Sequence, residues 1–313
     1  MSTEGLPLRE RVRLGWLGAR GATGALLTYP SPAQRTLLRD LRRALAAGEL
    51  EVHYQPILEM RSGRAQGAEA LVRWNHPQRG FLWPPDFLPQ AELSDDLMGD
   101  VDMHVLDAAL RRRSEWAGRG IAVRVAVNMS GACLDPSFPG QVAERLWAHD
   151  VQPGDLALEL TERVVMANPD VATEVLNALH EVGVQLCLDD FGTGHSSLAR
   201  LVSLPFDQIK IDKSFLLGDD QSVLRIVKAI TDLCHALGRV VVVEGVETQA
   251  SWDRLAALGC DLAQGYCVSP PRHPDEIEWL LAELSIPRPP APGSAASRGI
   301  VKPAGPRPAL RSG

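Results

Sequence analysis

With 313 residues, 45% of them hydrophobic, and a formal net charge of −7, the chain can bury one large core, and a single α/β barrel of about 250 residues plus tails is the natural partition. No apolar run approaches the roughly 20 residues that cross a bilayer, and Met1–Gly24 lacks the compact apolar stretch of a secretory signal, so a cytoplasmic chain with no membrane span is expected. Residues 287–313 hold five basic and no acidic residues, leaving 27 basic against 39 acidic side chains elsewhere, a charge of −12; this argues against direct nucleic-acid binding and suits carboxylates that hold divalent cations.

Residues 1–31, glycine-containing and weakly patterned, read as an extension or linker. Helix signals begin near Pro32, where Leu37, Leu38, Leu41 and Leu50 bracket Arg39, Arg42 and Arg43. The middle of the chain then repeats one phrase: amphipathic helix, glycine stop, short apolar strand, polar residue. Val171, Val175, Ala178, Leu179 and Val182 keep helical spacing, Gly183 stops them, and Val184–Leu188 runs into Asp189 and Asp190. Val223, Ile226, Val227, Ile230, Leu233 and Leu237 repeat the pattern up to Gly238, and Val240–Val243 ends at Glu244. Trp252, Leu255 and Leu258 lead to Gly259, and Cys260–Ala263 ends at Gln264. Glycine just past a helix accepts the left-handed conformation cheaply. Unbroken β-branched runs between helices read as buried parallel strands. Residues 32–284 form one domain on this reading. Residues 285–313, rich in Pro, Ala, Gly, Ser and Arg, cannot build a core and are expected to be disordered. Cys133, Cys187, Cys234, Cys260 and Cys267 show no C-x-x-C spacing and read as reduced thiols.

Alternating helices and buried parallel strands leave an open doubly wound sheet or a closed barrel. Candidate strands end at Glu69, Asn128, Glu159, Asp189, Lys210, Glu244 and Gln264. An open sheet gathers its site at one switch point, whereas a barrel brings every strand end to one mouth. A TIM-like (β/α)8 barrel is therefore expected.

At such a mouth Glu69, Glu159, Asp189 and Asp190 meet the amide oxygen of Asn128. Uncompensated, these carboxylates repel and raise one another's pKa values. A hard divalent cation relieves the repulsion, and an all-oxygen set suits Mg²⁺ or Mn²⁺ better than zinc. The adjacent Asp189 and Asp190 suit two ions with one aspartate bridging, a recurring device for in-line phosphoryl displacement. Lys210 adds a charge that orients water or neutralises the phosphorane, and Glu244 is placed to accept a proton. Ca²⁺, larger and looser in its coordination, is expected to inhibit. Taken singly, each residue has a plainer reading: a strand-end carboxylate caps a helix, and Lys210 pairs with Asp212. Their succession along seven strands points to metal chemistry instead.

The same residues resemble the EAL domain family. Glu69-Ala70-Leu71 looks like its signature, and the likeness continues through Tyr54-Gln55-Pro56-Ile57, Asn128-Met129-Ser130 and Glu159-Leu160-Thr161-Glu162. It runs on through Asp189-Asp190-Phe191-Gly192-Thr193-Gly194, Lys210-Ile211-Asp212, Glu244-Gly245-Val246-Glu247-Thr248 and Gln264-Gly265-Tyr266. The resemblance implies a phosphodiesterase that opens cyclic di-GMP to linear pGpG, on a barrel whose first strand runs antiparallel to the rest. It assigns metal binding to Glu69, Asn128, Glu159, Asp189 and Asp190, catalysis to Glu244 and Lys210, and substrate contact to Gln55, Leu71, Arg73 and Gln264. Glu162, Phe191, Gly192, Thr193, Gly194, Ser196 and Glu247 match a loop and its supports, which in the family couple the site to a dimer interface, so a homodimer is implied. Two positions depart from the pattern. His195 stands where the family mostly has Tyr, and Ser269-Pro270-Pro271 displaces a basic residue to Arg272.

Two other functions compete: a receptor or scaffold that binds cyclic di-GMP or a protein partner without turnover, and an unrelated metal-dependent lyase on a barrel. The retained ligand positions and loop motif favour the hydrolase over the first. Gln55 and the Asp-Phe-Gly-Thr-Gly stretch disfavour the second. The chain shows no region long enough for a sensor or cyclase partner, so either a stand-alone descendant or control by a separate regulatory protein is a further expectation.

Overall fold

The computed structural model describes residues 31–192, 203–216 and 221–285. Thr193, Gly194, His195 and Ser196, together with residues 1–30 and 286–313, lie outside the described residues.

Helix α1 (Pro32–Ala47) opens on a capping box, with Ser31 N donating to Gln34 Oε1 at 2.7 Å and Gln34 N donating to Ser31 Oγ at 3.2 Å, and ends at left-handed Gly48. Strands β1 (Leu50–Glu59) and β2 (Ala65–His76) form a long antiparallel ribbon, to which β3 (Gly80–Leu82) adds a short antiparallel strand. Then follow α2 (Pro84–Ala91), α3 (Asp95–Gly118), β4 (Arg124–Asn128), α4 (Phe138–Ala148), β5 (Leu156–Thr161), α5 (Glu162–Ala167) and α6 (Pro169–Val182). The second half holds β6 (Gln185–Phe191), β7 (Gln208–Ile211), α7 (Gln221–Ala236), β8 (Val240–Val243), α8 (Gln249–Ala257), β9 (Leu262–Ala263) and α9 (Pro274–Ser285). The expected glycine stops at Gly183, Gly238 and Gly259 all have positive φ.

Strands β2, β4, β5, β6, β7, β8 and β9 are parallel neighbours in that order. β1 pairs antiparallel with both β2 and β9 and closes the ring, leaving β3 outside it. The first strand is thus antiparallel to the rest of an eight-stranded barrel. Outside it, α3 lays Leu97, Val101, Leu106 and Leu110 against the sheet, and Trp116 meets Tyr54 edge-on at 5.0 Å.

Alternate residues of a strand point to the same face, and this period of two arranges the barrel interior in layers. Ile57, Ala126, Ala157, Val242 and Leu262 form a small apolar cluster of their own. Two residues along each of these strands, in the direction of the mouth, stand Gln55, Asn128, Glu159, Glu244 and Gln264. The apolar layer is therefore the floor of the site, and the polar layer sits directly on it.

Three expectations need correction. Glu69 is not a strand end: β2 runs seven residues past it, because its outer half stays paired with β1 and β3 after the parallel pairing with β4 has ended at Ala70. Asp189 and Asp190 likewise lie inside β6. Leu50, read with the first helix, begins β1.

Two glycines set the mouth loops. A Cβ on Gly265 would stand 2.1 Å from the Val246 carbonyl oxygen and 2.3 Å from its nitrogen. Only glycine permits that approach, across which Val246 N donates to Gln264 O at 3.0 Å. Gly245 has φ of +67°, and a Cβ there would stand 2.4 Å from Lys213 Cβ. These contacts lock the residues that follow β8 and β9, and with them Glu244 and Gln264.

Candidate active site

Lys210, fully buried near the end of β7, is the centre on which the acidic side chains close. Its Nζ lies 2.5 Å from Glu244 Oε1, 2.8 Å from Glu159 Oε2, 3.6 Å from Glu69 Oε2 and 3.7 Å from Asp189 Oδ1. Asp212 is not its partner; that carboxylate accepts from Ser214 N at 2.8 Å. Three carboxylates from three strands, and Glu244 just past β8, thus share one ammonium.

Glu69 is held at both oxygens. Asn128 Nδ2 donates to Oε1 at 2.6 Å and Gln264 Nε2 donates to Oε2 at 2.5 Å. Gln264 Nε2 also reaches Gln55 Oε1 at 2.8 Å, and Gln55 Nε2 donates to the Ser269 carbonyl at 2.9 Å. Gln55, Glu69 and Gln264 therefore form one buried polar chain, in which Gln264 Oε1 has no hydrogen-bond partner among the described residues. Arg272 is fixed by a two-way backbone bridge to Tyr54, with N···O distances of 2.8 and 3.0 Å, and its Nε donates back to Ser269 Oγ at 2.9 Å. Arg73 and Leu71 share the inward face of β2 with Glu69. Arg73 is buried, Leu71 half-buried.

In β6 the register with β7 shifts between Leu188 and Phe191. Asp190 adopts φ of +56°, a conformation uncommon outside glycine, and donates its N–H to Asp189 Oδ1 at 2.9 Å. Such an irregularity re-aims side chains, here the adjacent aspartates. Beyond it, Phe191 is buried and Gly192 exposed. Glu162, the first residue of α5, is buried, and its Oε2 has no hydrogen-bond partner among the described residues. Glu247 is exposed, because the turn at Gly245 sends Val246 inward and Glu247 to the surface.

The charges of this cluster do not balance. Burial, followed by Glu69 and Asp189, pushes Glu159 well above the usual carboxylate range despite Lys210. Burial, with Asp189 and Glu69 against the opposing Lys210, raises Glu244 to about 7. Burial, Asp189 and Asp212 raise Asp190. Glu69 moves the other way: burial opposes ionisation, but Lys210 and the hydrogen bonds from Gln264 and Asn128 outweigh it. Lys210 is driven well up, burial being overcome by the four carboxylates.

One ammonium thus leaves a surplus of negative charge among oxygen donors, which is what a hard divalent cation neutralises. On donor chemistry the cluster fits Mg²⁺ or Mn²⁺. Its arrangement differs from the expected ligand set: among the described residues no three His, Cys, Asp or Glu groups are placed to hold an ion by themselves. Lys210 is what draws the carboxylates together, and Asn128 turns its amide nitrogen, not its oxygen, to Glu69.

Asp102 was not legible as part of this region. It sits on the buried stripe of α3 with Met98 and Val105, and its Oδ2 accepts from Ser130 N at 3.0 Å, Ser130 Oγ at 2.6 Å and Cys133 Sγ at 3.2 Å. One buried oxygen thereby clamps the loop that follows Asn128. A charge among the apolar residues of the helix stripe, which only Arg113 shares, was the available signal. Burial raises Asp102 to about 6, against the lowering effect of those bonds. Beside it, a cavity of about 250 Å³ opens between β2, α3 and β4, lined by Leu71, Pro84, Met98, Asn128, Met129 and Val164 among others.

A family model described as EAL domain matches residues 38–271. The chain is 39% identical over 278 residues to an uncharacterized protein of Mycobacterium tuberculosis, covering 86% of this chain and 44% of that protein. It is 39% identical over 256 residues to the bifunctional diguanylate cyclase/cyclic di-GMP phosphodiesterase MucR of Pseudomonas aeruginosa, covering 80% of this chain and 37% of MucR. The chain therefore spans less than half the length of these curated relatives. The solved structure of the PaMucR phosphodiesterase in complex with c-di-GMP superposes with a TM-score of 0.74 at 39% identity, covering 77% of this chain and 99% of that one. No helix among the described residues is long and apolar enough to cross a membrane.

Proposed function

Because this chain belongs to the EAL domain family, we propose that it hydrolyses cyclic di-GMP to linear pGpG at the Lys210 cluster. The observation that carries this reading is the gathering of Glu69, Glu159, Asp189 and Glu244 within 4 Å of Lys210 Nζ, with more negative charge than the protein itself neutralises.

Glu69, Asn128, Glu159, Asp189 and Asp190 would hold Mg²⁺ or Mn²⁺, two ions in all, with the Asn128 amide turned to present its oxygen. When bound, the metal supplies Lewis acidity toward water and the phosphoryl oxygens. Glu244, raised to about 7 by burial and its acidic neighbours, is matched to accept a proton from the attacking water near neutral pH. Lys210 keeps its charge and orients that water while offsetting charge on the phosphoryl group. Gln55, Leu71, Arg73 and Gln264 position the dinucleotide. Gln264 Oε1 has no hydrogen-bond partner among the described residues and is left to accept from it. A catalytic domain over residues 32–284, a homodimer and a cytoplasmic location belong to the same reading.

The test is purified protein with Mg²⁺ or Mn²⁺ and cyclic di-GMP, the products resolved by chromatography. Turnover to pGpG that Glu69→Ala abolishes supports the reading, and full activity with Ca²⁺ alone would count against the two-ion geometry. The alternative is a receptor that binds cyclic di-GMP without turnover. Tight binding with no linear product would establish that alternative.

A further inference from the structure

Trp83 stands at the N-cap of α2, where Ser, Thr, Asp and Asn are favoured because their side chains cap the helix. Its side chain makes no such bond. The position is nonetheless rigid: Trp83 N donates to Asp86 Oδ2 at 2.9 Å, and Pro84 and Pro85 follow directly, restricting the backbone. The held ring is left 49% exposed, and neighbouring Phe81 is 42% exposed. Capping and burial therefore both fail to account for an indole here.

What the ring does touch leads to the site. The Arg73 guanidinium lies over it, Cζ 4.6 Å from the ring centroid, on the same inward face of β2 as Glu69. Phe81 meets Trp83 edge-on at 5.5 Å, His53 tilts against Phe81 at 5.6 Å, and His273 meets His53 at 5.9 Å. His53 lies opposite Leu71 in the β1–β2 register. An arc of four rings thus borders the mouth beside the substrate-side residues. Arg73 Nη1 donates to the Val72 carbonyl at 2.8 Å, but the Nε of this residue, only 3% exposed, has no partner among the described residues.

An exposed, pre-organised aromatic plane beside a buried cation with a spare donor matches a nucleobase joined to phosphate. Bases stack on aromatic rings through their π faces, and the guanidinium over the opposite face of the indole holds the ring by a cation–π contact. Building on the cyclic di-GMP reading, we propose that Trp83 and Phe81 form a stacking shelf for one guanine of the substrate, with Arg73 held by Trp83 to meet the adjoining phosphate. The shelf makes Trp83 a specificity-determining residue.

The test compares kcat/KM for cyclic di-GMP with that for bis(4-nitrophenyl) phosphate, a phosphodiester without a purine, in wild type, Trp83→Ala, Trp83→Phe and Phe81→Ala. The ratio is expected to fall about tenfold in Trp83→Ala, through KM rather than kcat, less in Phe81→Ala, and to recover in Trp83→Phe. A ratio unmoved by Trp83→Ala, in protein that still hydrolyses cyclic di-GMP, overturns the shelf and leaves the hydrolase reading intact. If wild type turns over neither substrate, calorimetric binding of cyclic di-GMP decides: about tenfold weaker binding by Trp83→Ala keeps the shelf while the hydrolase reading fails. No binding by wild type, or equal binding by the variant, overturns the shelf.

Discussion

Two layers of one barrel, separated by two residues on each strand, behave in opposite ways. The floor of Ile57, Ala126, Ala157, Val242 and Leu262 is apolar and closed. The layer above it is amide and carboxylate, with Lys210 at its centre. The same barrel strands, the antiparallel β1 included, carry both layers. What differs is what each inward position faces: the floor is sealed by its neighbours, while the layer above opens to the mouth at Asn128, which is exposed. The floor is built for packing, whereas the mouth concentrates charge that packing alone would not tolerate.

The largest expected effect comes from removing the cation of the upper layer. Lys210→Met leaves buried carboxylates unpaired, which typically costs roughly 3–5 kcal/mol, so melting is expected to fall by about 10 °C and turnover by orders of magnitude. Calorimetric scans beside product chromatography check both, and a variant as active as wild type would remove Lys210 from the mechanism. Next comes the loop contact that places Gln264. Gly265→Ala forces a Cβ onto the Val246 backbone, and overpacking of this kind costs on the order of 3 kcal/mol. KM is expected to rise as well, because Gln264 moves with its neighbour; an unchanged KM would break the link between the loop contact and the site.

In the floor, Leu262→Ala is expected to cost about 2–4 kcal/mol by urea unfolding, with kcat per folded molecule within about twofold of wild type. A collapse of kcat at full folding would mean that the two layers are not separable. An effect visible only as a pH dependence is expected at Asp102. Its folded pKa of about 6 lies above the ordinary 3.8, so the folded state binds the proton more tightly than the unfolded chain. That stabilisation is fully present below pH about 4 and is lost as pH rises through about 6, a fall of roughly 3 kcal/mol. Urea unfolding between pH 4 and 7 should show that decline in wild type, and a flatter profile in Asp102→Asn.

Much of the parallel half was legible because it is written in local signals. Gly183, Gly238 and Gly259 end their helices as glycines do, and Val240–Val243, between a glycine stop and Glu244, reads as a strand with three of its four residues buried. The antiparallel first strand was reached through resemblance rather than periodicity, and α3 went unread because Asp102 and Arg113 interrupt its buried stripe. Glu247 shows the limit of motif reading, since a turn two residues earlier sends it to solvent.

By itself, then, the sequence determined the alternation of helices and strands in the parallel half and the residues that meet at the mouth, because period and spacing are properties of the local chain. Only the tertiary structure decided how those residues meet. Closure of the barrel sets Lys210 among four carboxylates, lets Gln264 span Glu69 and Gln55, and brings Trp83 under Arg73. The Gln264–Gln55 contact joins residues 209 positions apart, and no local pattern records it.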